Sequence, residues 1–344
     1  MSNLPPSGEI PRGAIRFNTD SNKPELWDGS QWAEFQLSTP NLGRGVDSTP
    51  GARGFFAGGF APGNYYVYID SINIASTGSE FDFGDLNVAA FGASACASST
   101  RALQGMKESS PGWYSAQVDA WEISSLGQVF DFGDLHGAKR SGGSGGNQTR
   151  GLFFGGQPGG GSIATTDLFT ISSTGSRQDF GNMSTTLAEG FISGISSPTR
   201  TIAAGGGSSK ASIYATIPTT GTWQDFGDGL TGGGEGSDGG CSSATRGLFG
   251  GVTVPGGGGT NTIEYITITS LGKFADFGDL SQARRNTGAC SSKTRGVWGG
   301  GRTPTYVNTI DYVEITTFGN AVDFGDLGRT VQTVGGTSNA HGGL

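Results

Sequence analysis

This chain of 344 residues has only two histidines and three cysteines. His136 and His341 are far apart and Cys96, Cys241 and Cys290 are dispersed, so no zinc or copper spacing can be composed from them. Basic charge is equally thin. With 21 Lys and Arg against 29 Asp and Glu, the net charge is −8 and the cations form no run, which excludes the basic footprint that binds nucleic acid. No stretch approaches 18 consecutive apolar residues, so no membrane insertion is expected. The opening "MSNLPPSGEIPRG" lacks the apolar core of a secretory signal. The 3.6-residue periodicity of an amphipathic helix is missing as well.

What the chain has in excess is glycine, 65 residues, beside 13 prolines, a composition that alone would suit disorder. Its 21 Phe, 8 Tyr and 6 Trp argue the other way, because aromatic burial on that scale offsets chain entropy. A turn-rich, all-β fold is the expectation.

The aromatics and glycines recur in order. "DFGD" or a close variant begins at Asp82, Asp131, Asp179, Asp225, Asp276 and Asp323, at intervals of 49, 48, 46, 51 and 47. An arginine in phrases such as "SSATRGLFGG" and "SSKTRGVWGG" recurs at Arg53, Arg101, Arg150, Arg200, Arg246 and Arg295, at intervals of 48, 49, 50, 46 and 49. Two markers with one period signal stacked supersecondary units. Each unit reads as four short strands: a small-residue run, an apolar run closing on a glycine pair, an alternating run such as "NTIDYVEITT", and the DFGD run. Four strands per period make the blade of a β-propeller.

The order of arginine, glycine pair (Gly58-Gly59, Gly155-Gly156, Gly250-Gly251, Gly299-Gly300), tyrosine-centred third strand and fourth-strand aromatic resembles the kelch repeat. The departure is that Phe83, Phe132, Phe180, Phe226, Phe277 and Phe324 stand where the kelch pattern usually has Trp. Each Phe is expected to fill the space between blades, and the flanking aspartates to meet the repeat arginines or turn N–H groups. A protein kinase uses "DFG" once, with other signatures that are absent, so the repeated tripeptide reads as structure. Eleven acidic residues lie in these motifs, more than the net excess of eight, so the acidity is a by-product of the repeat.

Blade number turns on the ends. Residues 12–41 and 328–344 together make about one period, and "ELWDGSQWAEF" reads as two strands joined by a hairpin turn at Asp28-Gly29. The expectation is an N-terminal extension over 1–11 and a seven-bladed propeller over 12–344, both ends sharing the last blade and removing open sheet edges. The alternative is six blades plus an N-terminal module. The cysteines, each five residues before a repeat arginine, occupy equivalent positions and are expected as free, buried thiols.

No cofactor or metal is expected. Asp20, Asn22, Glu25 and Asp28 lack the spacing of a calcium loop. Two distant histidines cannot build the copper site of kelch-like oxidases, and the arginines are too regular for a sialidase cluster, so the chain is expected not to be an enzyme. The loops after the glycine pairs are the variable part, where repeat proteins place function. Their aromatics Tyr65, Tyr66, Trp113, Tyr114 and Tyr306, beside Ser, Asn and Gly, suit sugar stacking or a protein contact.

"GEIPRGAIRFNTDSNKPELWDGSQWAEF" resembles a short β segment of structural and fibre proteins of tailed bacteriophages, where "GAIRFNTD" precedes an aromatic-Asp-Gly and a Trp. That resemblance implies a virion protein, a tail or capsid appendage that binds or scaffolds, with other virion proteins and a host-surface glycan or receptor as partners. The alternatives are a cellular propeller lectin or interaction module, and a glycan hydrolase.

Overall fold

The computed structural model describes residues 10–18, 23–34, 53–125, 128–175, 177–184, 187, 190–206, 211–230, 239–254 and 256–344. The chain divides into two compact units, Met1–Val46 and Asp47–Leu344, and the described residues contain strands and no α-helix.

In the first unit Ile15–Asn18, Lys23–Trp27 and Trp32–Glu34 form an antiparallel meander. The expected turn is there: Asp28 Oδ1 accepts the N–H groups of Ser30 (2.7 Å) and Gln31 (2.8 Å), and those bonds hold its carboxyl below the usual range. Trp27 and Trp32 pack at 5.5 Å across the hairpin, with the Arg16 guanidinium 4.2 Å from the Trp32 ring centroid.

The second unit holds six antiparallel sheets, I to VI, each ordered a-b-c-d; five are four-stranded, and in the fifth Thr253–Val254 adds a short extra strand against strand c. Strand b begins at the repeat arginine in all six: Arg53–Ala57, Arg101–Gly105, Arg150–Phe154, Arg200–Gly205, Arg246–Phe249 and Arg295–Gly299. In sheets II to VI strand a precedes it directly: Ser94–Ala97, Gly143–Gly146, Ile192–Ser196, Gly240–Ser242 and Gly288–Ser291. In sheet I it comes from the other end of the chain, because Gly335–Ser338 pairs with Arg53–Ala57.

That pairing corrects the expected seventh blade shared by 12–41 and 328–344. Among the described residues the edge of Arg53–Ala57 is taken by Gly335–Ser338, while the N-terminal strands pair among themselves. The boundary expected at residue 12 moves with it, since 12–46 belong to the first unit. Each a strand lies against two others, in the order II, III, IV, V, VI, I and back to II.

The DFGD phrase is a β-bulge. Opposite Ile69 and Asp70 stand Gly84 and Asp82, so Phe83 is the extra residue, and the same register shift recurs at the Phe of the other five d strands. Expelled from the ladder, the ring turns inward. Phe83, Phe132, Phe180, Phe226, Phe277 and Phe324 are each 2–3% exposed. Each lies in one of six clusters formed between neighbouring sheets. Burial on that scale stabilises by about 1.5–3 kcal/mol per ring. The following glycine is needed for approach: a Cβ on Gly278 would lie 2.2 Å from Gly319 O of the next sheet, at a φ of +151°.

No ion pair between a repeat arginine and a DFGD aspartate is found among the described residues. Each arginine reaches a carbonyl of the next sheet: Arg53 to Ile123 (2.7 Å), Arg101 to Ile171 (2.8 Å), Arg150 to Ile217 (2.8 Å), Arg200 to Ile268 (3.1 Å), Arg246 to Ile315 (2.6 Å) and Arg295 to Ile74 (3.2 Å). Asp131 and Asp179 instead accept the N–H of their own bulge glycines.

The three cysteines are free and buried, and their thiols fill space under a neighbouring strand. Cys96, Cys241 and Cys290 lie against Gly151, Gly296 and Gly54, whereas Ile195 at the same position faces Gly247, and Gly145 faces Thr201. Large faces small at every one of these contacts, as close packing requires. Burial raises the Cys96 thiol to about 12, which removes it from thiolate chemistry at neutral pH.

Candidate functional site

Two places collect residues from several sheets. One is a cavity of about 50 Å3 bounded by all six a strands. At about 10–15 Å3 per water it has room for a few waters and no larger ligand. Its wall is a hydroxyl relay: Ser338 Oγ donates to Ser291 O (2.5 Å), Ser291 Oγ to Ser242 O (2.9 Å) and Ser242 Oγ to Ser196 O (2.7 Å). The equivalent residues of sheets II and III are Ala97 and Gly146, which have no hydroxyl.

There the segment after Ser338 takes over. Gly343 N–H donates to His341 Nδ1 (3.0 Å), so the proton sits on Nε2, which donates to Ala97 O (2.7 Å). Burial holds the imidazole below its ordinary value. A Cβ at Gly343 would lie 1.9 Å from Gly146 O, so only glycine passes. The cavity is thus a packed seam.

The other place is the end of the sheets where strand b turns into strand c and strand d returns to strand a, here the hairpin face. Phe60 packs edge-on against Tyr65 (5.2 Å), Phe91 (5.4 Å) and Tyr306 (6.0 Å). The Arg140 guanidinium lies 5.7 Å from the Phe91 centroid and 5.4 Å from that of Tyr114, and pairs with Glu108. Tyr65 has its phenol raised by burial first, then by Glu108, with Arg140 opposing.

Backbone bridges fasten this face between sheets: Phe91 with Glu108, Arg140 with Gln157, Arg285 with Arg302, and Phe60 with Gln332. Such bridges pre-organise a surface and lower the ordering cost of binding.

Of the five aromatics expected here, Tyr65, Tyr114 and Tyr306 belong to this cluster. Trp113 stands out at 72% exposed on its hairpin tip. Tyr66 leaves the group to stack near Tyr68 (5.9 Å) under Arg329. Phe60, Phe91 and Arg140 were not singled out from sequence. Phe60 directly follows a glycine pair, and Arg140 is the second cation of "KR", as Arg285 is of "RR", which is the signal that marks them.

Beside the cluster is a groove of about 410 Å3, bounded by Tyr114, Arg140, Gln157, Gly159–Gly161 and Ser162. Of the four residues weighed as a calcium loop, Asp20 and Asn22 lie outside the described residues, Glu25 pairs with Arg16 (2.6 Å) and Asp28 caps its own turn. Among the described residues no three His, Cys, Asp or Glu converge as a metal site.

No family model matches the chain, and no curated protein is significantly similar to it.

Proposed function

We propose that the six sheets are blades of a closed, kelch-like β-propeller, and that its hairpin face is a non-catalytic binding surface of a tailed-bacteriophage virion protein. Support for the closed ring comes from two cyclic series, the a-strand neighbours and the arginine-to-carbonyl bonds, each returning from sheet VI to sheet I. The binding reading rests on one observation: aromatic and cationic side chains from four sheets meet on a face already fastened by backbone bridges. Glu108, the carboxylate of that cluster, is engaged by Arg140 and by the Gly112 N–H (2.9 Å), which suits recognition better than proton transfer.

The virion assignment rests on the N-terminal resemblance, and the partners it implies are other virion proteins and a host-surface glycan. Mass spectrometry of purified particles tests the location; absence of the chain would leave a cellular lectin as the reading. Glycan-array binding tests the face. The variant with Trp113→Ala and Tyr114→Ala is expected to lose at least ten-fold in signal, and equal binding by variant and wild type would refute the hairpin face.

A further inference from the structure

We propose that the groove between Tyr114 and the Gly159–Gly161 loop holds a carboxylate-bearing saccharide unit; this rests on the reading of the hairpin face as a binding surface. Its volume, about 410 Å3, lies in the range of small-molecule sites, roughly 300–1,000 Å3, which the seam among the a strands does not reach.

The lining chooses the chemistry. Tyr114 offers a ring against which the C–H face of a pyranose stacks. Gln157 and Ser162 supply an amide and a hydroxyl for sugar hydroxyls, and the glycine loop leaves its backbone uncovered, since no atom lies within 4 Å of a Cβ on Gly160 or Gly161.

Charge narrows the class further. Arg140 is the one charged residue of the lining, and no acid faces the groove. Glu108, outside the lining, accepts from Nη1 of Arg140, and the guanidinium lies near the rings of Phe91 and Tyr114. Among the described residues Nη2 makes no hydrogen bond, and the side chain is 24% exposed. One cation already shared with a carboxylate matches a monoanion. A phosphate, carrying nearly two charges, calls for a cluster of cations.

Gly160 gives the test, because its surroundings are empty and either Asp or Asn fits there without touching the core. Binding of a glucuronic acid trisaccharide, its methyl ester and the glucose trisaccharide of the same linkage is measured by NMR titration at low salt. The acid is expected to bind at least ten-fold more tightly than the ester. Gly160→Asp should remove that preference, Gly160→Asn should keep it within about three-fold, and Tyr114→Ala should weaken all three sugars. Equal binding of acid, ester and neutral sugar overturns the acidic class and leaves the hairpin face standing. No binding of any trisaccharide overturns the groove, and the array comparison with the Trp113 and Tyr114 variant then decides the face independently.

Discussion

The junction between sheets III and IV and that between sheets V and VI solve one packing problem with opposite chemistry. At V/VI, Asp311 in Thr309–Glu314 meets Arg284 from the preceding d strand at 3.0 Å, both fully buried. Lys139 and Asp167 do the same at II/III (2.9 Å). At III/IV the acid's position holds Ile213 and the cation's holds Leu187, and the two share one apolar cluster. Both members of the pair have changed together. A buried ion pair is therefore one workable filling and an apolar pair another, and half of an ion pair alone is costly.

The largest effect is expected from breaking half of a pair. Asp311→Ala strands the Arg284 charge and should cost about 3–5 kcal/mol by urea denaturation. Ile213→Asp, which introduces a lone carboxylate beside Leu187, should cost a similar amount, and adding Leu187→Lys should restore at least half of it. If the second substitution restores nothing, the two positions are not equivalent to Lys139 and Asp167.

A smaller effect concerns Asp70, which receives a bidentate bond from Arg329 (2.6 and 3.2 Å). Burial raises its carboxyl to about 6 despite the arginine. A raised acid favours the folded state fully below its unfolded value near 4, and that contribution fades as pH rises through 6. Asp70→Asn should therefore flatten a loss of about 2–3 kcal/mol between pH 4 and 7.

His341 runs the other way. Depressed by burial, it stabilises the folded state above about pH 6.5, and the contribution is lost as pH falls. His341→Ala should abolish a modest acid-side decline, read as thermal midpoint against pH in the Asp70→Asn background so that the opposing slopes do not overlap.

The repeat was legible because the same physical need recurs: a bulged Phe and a bridging arginine stand at fixed places in every sheet, so two markers kept one period. The pairing of Gly335–Ser338 with Arg53–Ala57 was not legible by counting residues. The informative sign was qualitative: "GGTSNA" at 335–340 looks like the other a strands, such as "GGSGGN" at 142–147. Tyr65, Tyr114 and Tyr306 could be named from loop composition. Their companions Phe91 and Arg140 lie in connections whose convergence only the sheet order reveals. The buried ion pairs escaped because Asp167 and Asp311 sit in c strands with no repeated phrase around them, while the conspicuous DFGD aspartates point to solvent.

Asn339 accepts the Arg53 N–H at 3.0 Å and donates to Arg53 O at 3.2 Å, as Asn147 does with Arg150 across a continuous turn. The repeat body therefore has no privileged first sheet. A gene rewritten so that a linker joins Leu344 to Arg53, keeping His341 and Gly343 in the seam, and reopened at a turn such as Asn147–Arg150 encodes a circular permutant with the same six sheets. Such a permutant would keep the contacts of the hairpin face, because none of them crosses the turn that is opened.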